Sequence, residues 1–189
     1  KNTVSVYVCG VTPYDITHLG HALTYVFFDV VVRYLEFIGF KVNYIQNVTD
    51  IDDDILKKAK ELNVNWRHLA EKNFADFLGD LTWLNIRQPD FLPRATDHIK
   101  EIISLNNILL KKGYAYEKNG HLYFDIGKYP SYGQLSRLSQ KEMLPISKER
   151  GNNPHDPNKK NPLDFVLWQA HSPGEPGWSS PWGKGRPGW

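Results

Sequence analysis

A single cysteine, Cys9, stands in the 189-residue chain, so no internal disulfide can form, and that usage suits a reducing cytoplasm. Charge of one sign is also missing. With 23 basic and 21 acidic residues the net charge is only +2, and the scattered Lys and Arg make no sequence-wide footprint for nucleic acid. The doublets Lys57-Lys58, Lys111-Lys112 and Lys159-Lys160 read as solvated faces. No apolar run is long enough for a membrane. The most apolar stretch, Tyr25 to Phe40, is broken by Asp29, Arg33 and Glu36 at four- and three-residue steps, the pattern of a surface helix, so no membrane partner is expected. No repeat of solenoid period is present, and no secretory signal precedes the first strand-like run.

The chain is long enough for one domain with a sizeable core, or one domain carrying an inserted subdomain. Val4, Val6 and Val8 alternate as a half-buried strand does, and residues 3–9 and 41–47 read as parallel strands. Between them Leu23, Val26, Phe27, Val30, Val31, Tyr34, Leu35 and Ile38 recur at helical steps, giving a right-handed βαβ crossover, half of a Rossmann-like nucleotide domain. Asp50, Asp52, Asp53 and Asp54 read as carboxylates at the start of the next helix rather than as a magnesium site. Trp66, Leu69, Ala70, Phe74, Phe77, Leu78, Leu81 and Leu84 make a helical stripe. Thr96 and Asp97 start another helix that ends at Lys111-Lys112-Gly113, and Asn119-Gly120 predicts a hairpin between 114–116 and 122–126. Residues 136–162 predict long loops with one short helix. Residues 173–189 have a linker's Pro and Gly content, yet carry three tryptophans, which a solvated linker has little reason to hold.

The densest signal is Cys-Gly-Val-Thr-Pro-Tyr-Asp-Ile-Thr-His-Leu-Gly-His, residues 9–21, placed between strand and helix. Such a turn presents backbone N–H groups and the positive end of a helix dipole to a phosphate, with Gly20 permitting close approach. His18 and His21, three apart, share a helical face and can both donate to phosphate oxygens.

This stretch resembles the His-Ile-Gly-His signature of class I aminoacyl-tRNA synthetases, with Leu19 in place of isoleucine. Cys9-Gly10 narrows the resemblance to the cysteinyl branch. Asn47-Val48-Thr49-Asp50-Ile51-Asp52-Asp53 is similar to that branch's Asn-Ile-Thr-Asp-Ile-Asp-Asp segment, and residues 161–168 and 181–189 resemble its later landmarks. The branch includes cysteine–tRNA ligases and the cysteine ligases of mycothiol synthesis. Thr12-Pro13-Tyr14-Asp15, Gln46 and the segment 149–154 are closer to the second, whereas Leu122-Tyr123-Phe124-Asp125 and residues 129–136 are closer to the first. The implied fold is α/β, the first half of the class I Rossmann-like nucleotide-binding domain over residues 1–94, a connective insertion over 95–181, and a return to the catalytic domain at 182–189.

The resemblance implies activation of L-cysteine by ATP, with Mg2+, to cysteinyl-adenylate, then transfer to tRNA(Cys) or to an amino sugar, in the cytoplasm. It assigns His18 and His21 to catalysis, and Gly10, Val11, Thr12, Gly20, Thr24, Asn47 and Val48 to the ATP or adenylate. Cys9, Thr49 and Trp189 fall beside the cysteine, with Cys9 also a zinc ligand. A soft thiolate binds zinc far better than an alcohol, so the metal would select cysteine over serine. The family's other zinc ligands and its Lys-Met-Ser-Lys-Ser loop have no counterpart in this sequence. The segment 149–154 borders the adenylate in the mycothiol ligase, but Asn152 and Asn153 break that match. A small nucleotidyltransferase sharing the His-x-Gly-His turn, and a non-catalytic nucleotide-binding module, are the other readings of the same turn.

Overall fold

The computed structural model describes residues 2–188, which fall into two compact units that divide between His98 and Ile99. In the first, β1 (Thr3–Val11) and β2 (Lys41–Val48) pair in parallel, joined by α1 (Leu19–Phe37), followed by α2 (Asp53–Glu61) and α3 (Trp66–Trp83). The two strands run in step from Thr3 opposite Lys41 to Val8 opposite Gln46, then slip before Val11 meets Val48. Alternation decides the buried face: Val42, Tyr44, Gln46 and Val48 all point inward. They meet Val8, Val11, Tyr25 and Val32, and the α3 stripe of Phe74, Phe77 and Leu81 closes the core.

A third parallel segment, residues 90–94, lies beside β2 through bridges Ile45–Phe91 and Val48–Arg94. Pro89 and Pro93 hide it from a strand search, because proline removes ladder donors, but a sheet edge tolerates them. The β2 amides of Gln46 and Val48 donate to the carbonyls of Phe91 and Pro93, at 3.0 and 2.9 Å.

The orientation of α1 reverses the sequence expectation. Asp29 is buried and accepts Arg33 Nε and the backbone N–H of Arg87, both at 2.7 Å, while Arg33 donates to the Asn85 carbonyl and Glu36 pairs with Arg87. The charged face therefore packs on residues 85–87. Leu23, Val26, Phe27, Val30, Tyr34 and Ile38, the larger part of the apolar stripe, are exposed, and so is Phe37 beside them. Periodicity identifies a stripe but not which neighbour covers it. Asp50 also departs from its expected role: it accepts the N–H and hydroxyl of Thr96, whereas Asp52 caps α2 by accepting the Asp54 amide.

The second unit holds an antiparallel sheet in the order β3-β4-β5-β7-β6, comprising β3 (Ala115–Lys118), β4 (His121–Phe124), β5 (Phe165–Ala170), β6 (Trp178–Ser180) and β7 (Gly183–Pro187). α4 (Ile99–Lys111) precedes it, and α5 (Gln140–Glu149) is the one α-helix of the long loop. The Asn119-Gly120 turn, both residues at positive φ, makes the expected hairpin. Trp178 and Trp182 pack on Leu122 and Trp168, so the Pro- and Gly-rich end is part of the sheet. Two lysines taken as solvated are anchored instead: Lys159 is held by Asn152 and the Asn153 carbonyl, and Lys160 lies 4.1 Å over the Tyr116 ring.

Asp164, fully buried, joins these strands and loops by accepting the Tyr116 hydroxyl at 2.7 Å and the amides of Ile126 and Asn161, both at 3.0 Å. Each buried donor left without an acceptor costs about 1–3 kcal/mol. Asp164→Ala is therefore expected to destabilise the second unit by about 3 kcal/mol or more. Denaturant unfolding followed at the tryptophans measures it, and a loss under about 1 kcal/mol would remove Asp164 as the linchpin.

Candidate active site

Three chain ends meet at the carboxyl edge of the parallel pair: the end of β1, the end of β2 and the start of α1. Open α/β sheets bind ligands at this edge. The strand ends are cross-tied, since the Asn47 side chain accepts the Gly10 amide at 2.7 Å and donates to Thr49 Oγ1 at 3.3 Å, and the Thr49 amide donates to the Val11 carbonyl. A Cβ on Gly10 would lie 1.4 Å from the Asn47 carbonyl oxygen, so only glycine allows this approach. Val11 and Val48 are buried, with the Val11 carbonyl bonded to the Thr49 amide and the Val48 amide to the Pro93 carbonyl. Cys9 is exposed, on the strand face opposite buried Val8.

The two histidines form a capping box at α1. His18, in extended conformation, accepts the Gly20 amide on Nδ1 at 3.1 Å, and His21 accepts the His18 amide on Nδ1 at 3.4 Å. Their rings stack with centroids 4.0 Å apart. An acceptor Nδ1 in a neutral ring puts the proton on Nε2, so both rings keep one N–H donor. Half-burial, and then His18, hold His21 below the usual imidazole range, so it is neutral at pH 7. The Gly20 amide, expected from sequence to meet phosphate, is spent on the His18 ring, and a Cβ there would come within 2.9 Å of that ring. Side-chain Nε2–H groups are therefore among the donors this turn offers. Thr24 bonds back to the Gly20 carbonyl through its hydroxyl. Thr12 leads out of β1 and is half-buried. Trp189 lies outside the described residues.

Sequence reasoning missed what holds the loop between Val11 and Leu19. Lys58, taken as one of a solvated doublet, reaches Asp15 at 2.6 Å, and Asn73 on α3 donates to the Pro13 carbonyl at 3.2 Å. Neither contact leaves a periodic signal, because both are set by tertiary placement. For zinc the donor set is short. Among the described residues no three His, Cys, Asp or Glu side chains converge, so these residues do not fit a complete centre.

The family model described as the tRNA synthetases class I (C) catalytic domain matches residues 1–189. The chain belongs to that family. Similar curated relatives include a Thermomonospora curvata L-cysteine:1D-myo-inositol 2-amino-2-deoxy-alpha-D-glucopyranoside ligase, 49% identical over 99% of this chain and 45% of its own length. Others are the cysteine–tRNA ligases of Thermodesulfovibrio yellowstonii, 46% identical over 98% of this chain and 38% of its own, and of Proteus mirabilis, 47% identical over 100% and 40%. The chain thus spans about two-fifths of these relatives' length. Among solved structures, the Mycobacterium tuberculosis methionyl-tRNA synthetase in complex with methionyl-adenylate matches with a TM-score of 0.57 at 23% identity, over 61% of this chain and 23% of that one. That likeness concerns the fold, an α/β class I synthetase fold with a parallel sheet. No helix among the described residues is long and apolar enough to cross a membrane.

Proposed function

We propose that this chain is the nucleotide-binding part of a cysteine–tRNA ligase of the cytoplasm, which activates L-cysteine with ATP and passes it to tRNA(Cys). The observation that carries the reading is the His18–Gly20–His21 capping box at the carboxyl edge of a parallel pair, within a chain whose whole length matches the class I (C) family. In the proposed reaction a carboxylate oxygen of cysteine attacks the α-phosphorus of Mg2+-bound ATP, forming the acyl–phosphate bond as the bond to pyrophosphate breaks. The protein's task is positioning and stabilising charge on phosphate oxygens. His18 and His21 serve it as Nε2–H donors, and Thr12, Gly20, Thr24 and the strand ends Gly10-Val11 and Asn47-Val48 frame the nucleotide. Cys9, Thr49 and Trp189 are read as the residues that flank the substrate cysteine. Residues 1–94 are read as the first half of the catalytic domain, 95–181 as its insertion and 182–189 as the way back.

A second acceptor, the amine of a glucosamine-inositol, is favoured by the 49% identity to the mycothiol-type ligase. Cysteine-dependent ATP–pyrophosphate exchange by a polypeptide of the relatives' length tests the shared step, and its absence would return the turn to a plain nucleotide-binding module. Acylation of tRNA or of the amino sugar then names the acceptor.

Cys9 is proposed as one zinc ligand, with the others supplied from outside these residues. The 189-residue chain alone is then expected to hold zinc far below one per chain. In the longer polypeptide Cys9→Ser is expected to lose stoichiometric zinc and to weaken discrimination against serine. Full zinc with intact selectivity in that variant returns Cys9 to an ordinary strand residue.

A further inference from the structure

The chain between Val11 and Leu19 belongs to no strand or helix, yet it delivers His18 to α1 in the extended conformation its cap requires, φ −134° and ψ 170°. Two side chains from other elements fasten it. Lys58 on α2 pairs with Asp15 at 2.6 Å, and Asp15 also accepts the Ile16 amide at 2.9 Å. Asn73, a buried amide on α3 at 8% exposure, donates to the carbonyl of buried Pro13 across 60 positions of sequence. A buried amide is costly unless bonded, so that side chain is committed to the loop.

We infer that Lys58 and Asn73 are positioning residues for His18, holding the strap Thr12–Thr17 so that the capping box of His18 and His21 forms before nucleotide binds. The inference rests on the adenylate-forming reading of this turn. Its physical basis is a division of labour. An exposed ion pair adds little to stability, too little to matter to the fold. A misplaced reacting group, by contrast, costs rate steeply, up to about 10²-fold for about 1 Å. The hydrogen bond with Lys58 holds the Asp15 carboxyl below its usual range, so the pair stays charged at neutral pH.

The test uses the polypeptide of the relatives' length, with Lys58→Ala, Asp15→Asn, the double variant, Lys58→Arg and Asn73→Ala. Each of the two single ion-pair variants is expected to lower kcat for pyrophosphate exchange by about tenfold with little change in the KM for cysteine. The double variant is expected to be no worse than either, because both remove one contact. Lys58→Arg should restore the rate. Long-range 1H–15N spectra of the imidazoles should report the Nε2–H form for His18 and His21 in the unsubstituted protein, and a changed His18 environment in Lys58→Ala and Asn73→Ala. Multiplicative losses in the double variant, failure of arginine to restore the rate, or an unaltered His18 spectrum overturns the inference. The spectra decide it even without catalysis: a protein with no exchange but a Lys58-dependent His18 signal sinks the functional reading and leaves the strap intact.

Discussion

His21→Ala in the longer polypeptide is expected to lower the rate of adenylate formation by roughly 10²-fold or more, with the KM for cysteine nearly unchanged, as loss of one preorganised transition-state donor does. The reason lies in how the ring is held. Its Nδ1 accepts the His18 amide and its face stacks on the His18 ring, so only Nε2–H is free to donate, in a direction set by the helix. Alanine removes the donor and half of the capping box together, whereas glutamine keeps a donor and can still accept at the cap. His21→Gln should therefore be slower than the parent and faster than alanine. A change confined to the cysteine KM would mean that His21 binds ground and transition states equally.

The same bond gives a pH dependence. Protonating Nδ1 destroys the acceptor, and burial already disfavours the imidazolium, so the folded state binds this proton less readily than the unfolded chain. Between the unfolded value of 6.5 and the lower folded value, stability falls as pH falls. Above 6.5 the contribution is fully present. His21→Gln, which has no such proton, should flatten that part of the stability curve.

What the sequence made legible here is what local chemistry and period control. β1, α1, β2, the α3 stripe and the Asn119-Gly120 hairpin all follow from alternation, helical spacing and turn residues. The tryptophans at 178 and 182 outweighed the glycine and proline around them for the physical reason expected, burial in a sheet. Illegible were contacts made across elements. The segment 90–94 joins the sheet despite its prolines because it sits at an edge; Asp50 serves Thr96 rather than α2; Asp29 turns inward because Arg33 and the Arg87 amide satisfy it. In the candidate site the residue types were legible and the donor assignment was not. A sequence shows that Gly20 can come close to a phosphate, but only coordinates show its amide already bonded to His18.

The other large effect concerns the 189-residue chain on its own, which is expected to self-associate and to show almost none of the pyrophosphate exchange of a polypeptide of the relatives' length. The cause is α1. Leu23, Phe27, Val30, Tyr34 and Phe37 are exposed at 75%, 62%, 61%, 61% and 85%, at four- and three-residue steps along one side of a 19-residue helix. Apolar stripes of this kind on a free surface drive association. The nearby sheet adds to it: among the described residues β1 has a strand neighbour on one side only, and an unpaired edge invites pairing with another chain. Covering five such side chains is worth several kcal/mol at about 25 cal/mol per Å2 of apolar area. Phe27→Glu and Tyr34→Glu together should restore a monomer in the short chain, since two like charges on the stripe repel a second copy. Sedimentation velocity over a concentration series reads the first expectation and exchange assays on both lengths read the second. A short chain that stays monomeric throughout and exchanges pyrophosphate at the longer polypeptide's specific rate would show that α1 needs no cover and that residues 1–189 carry the whole activation site.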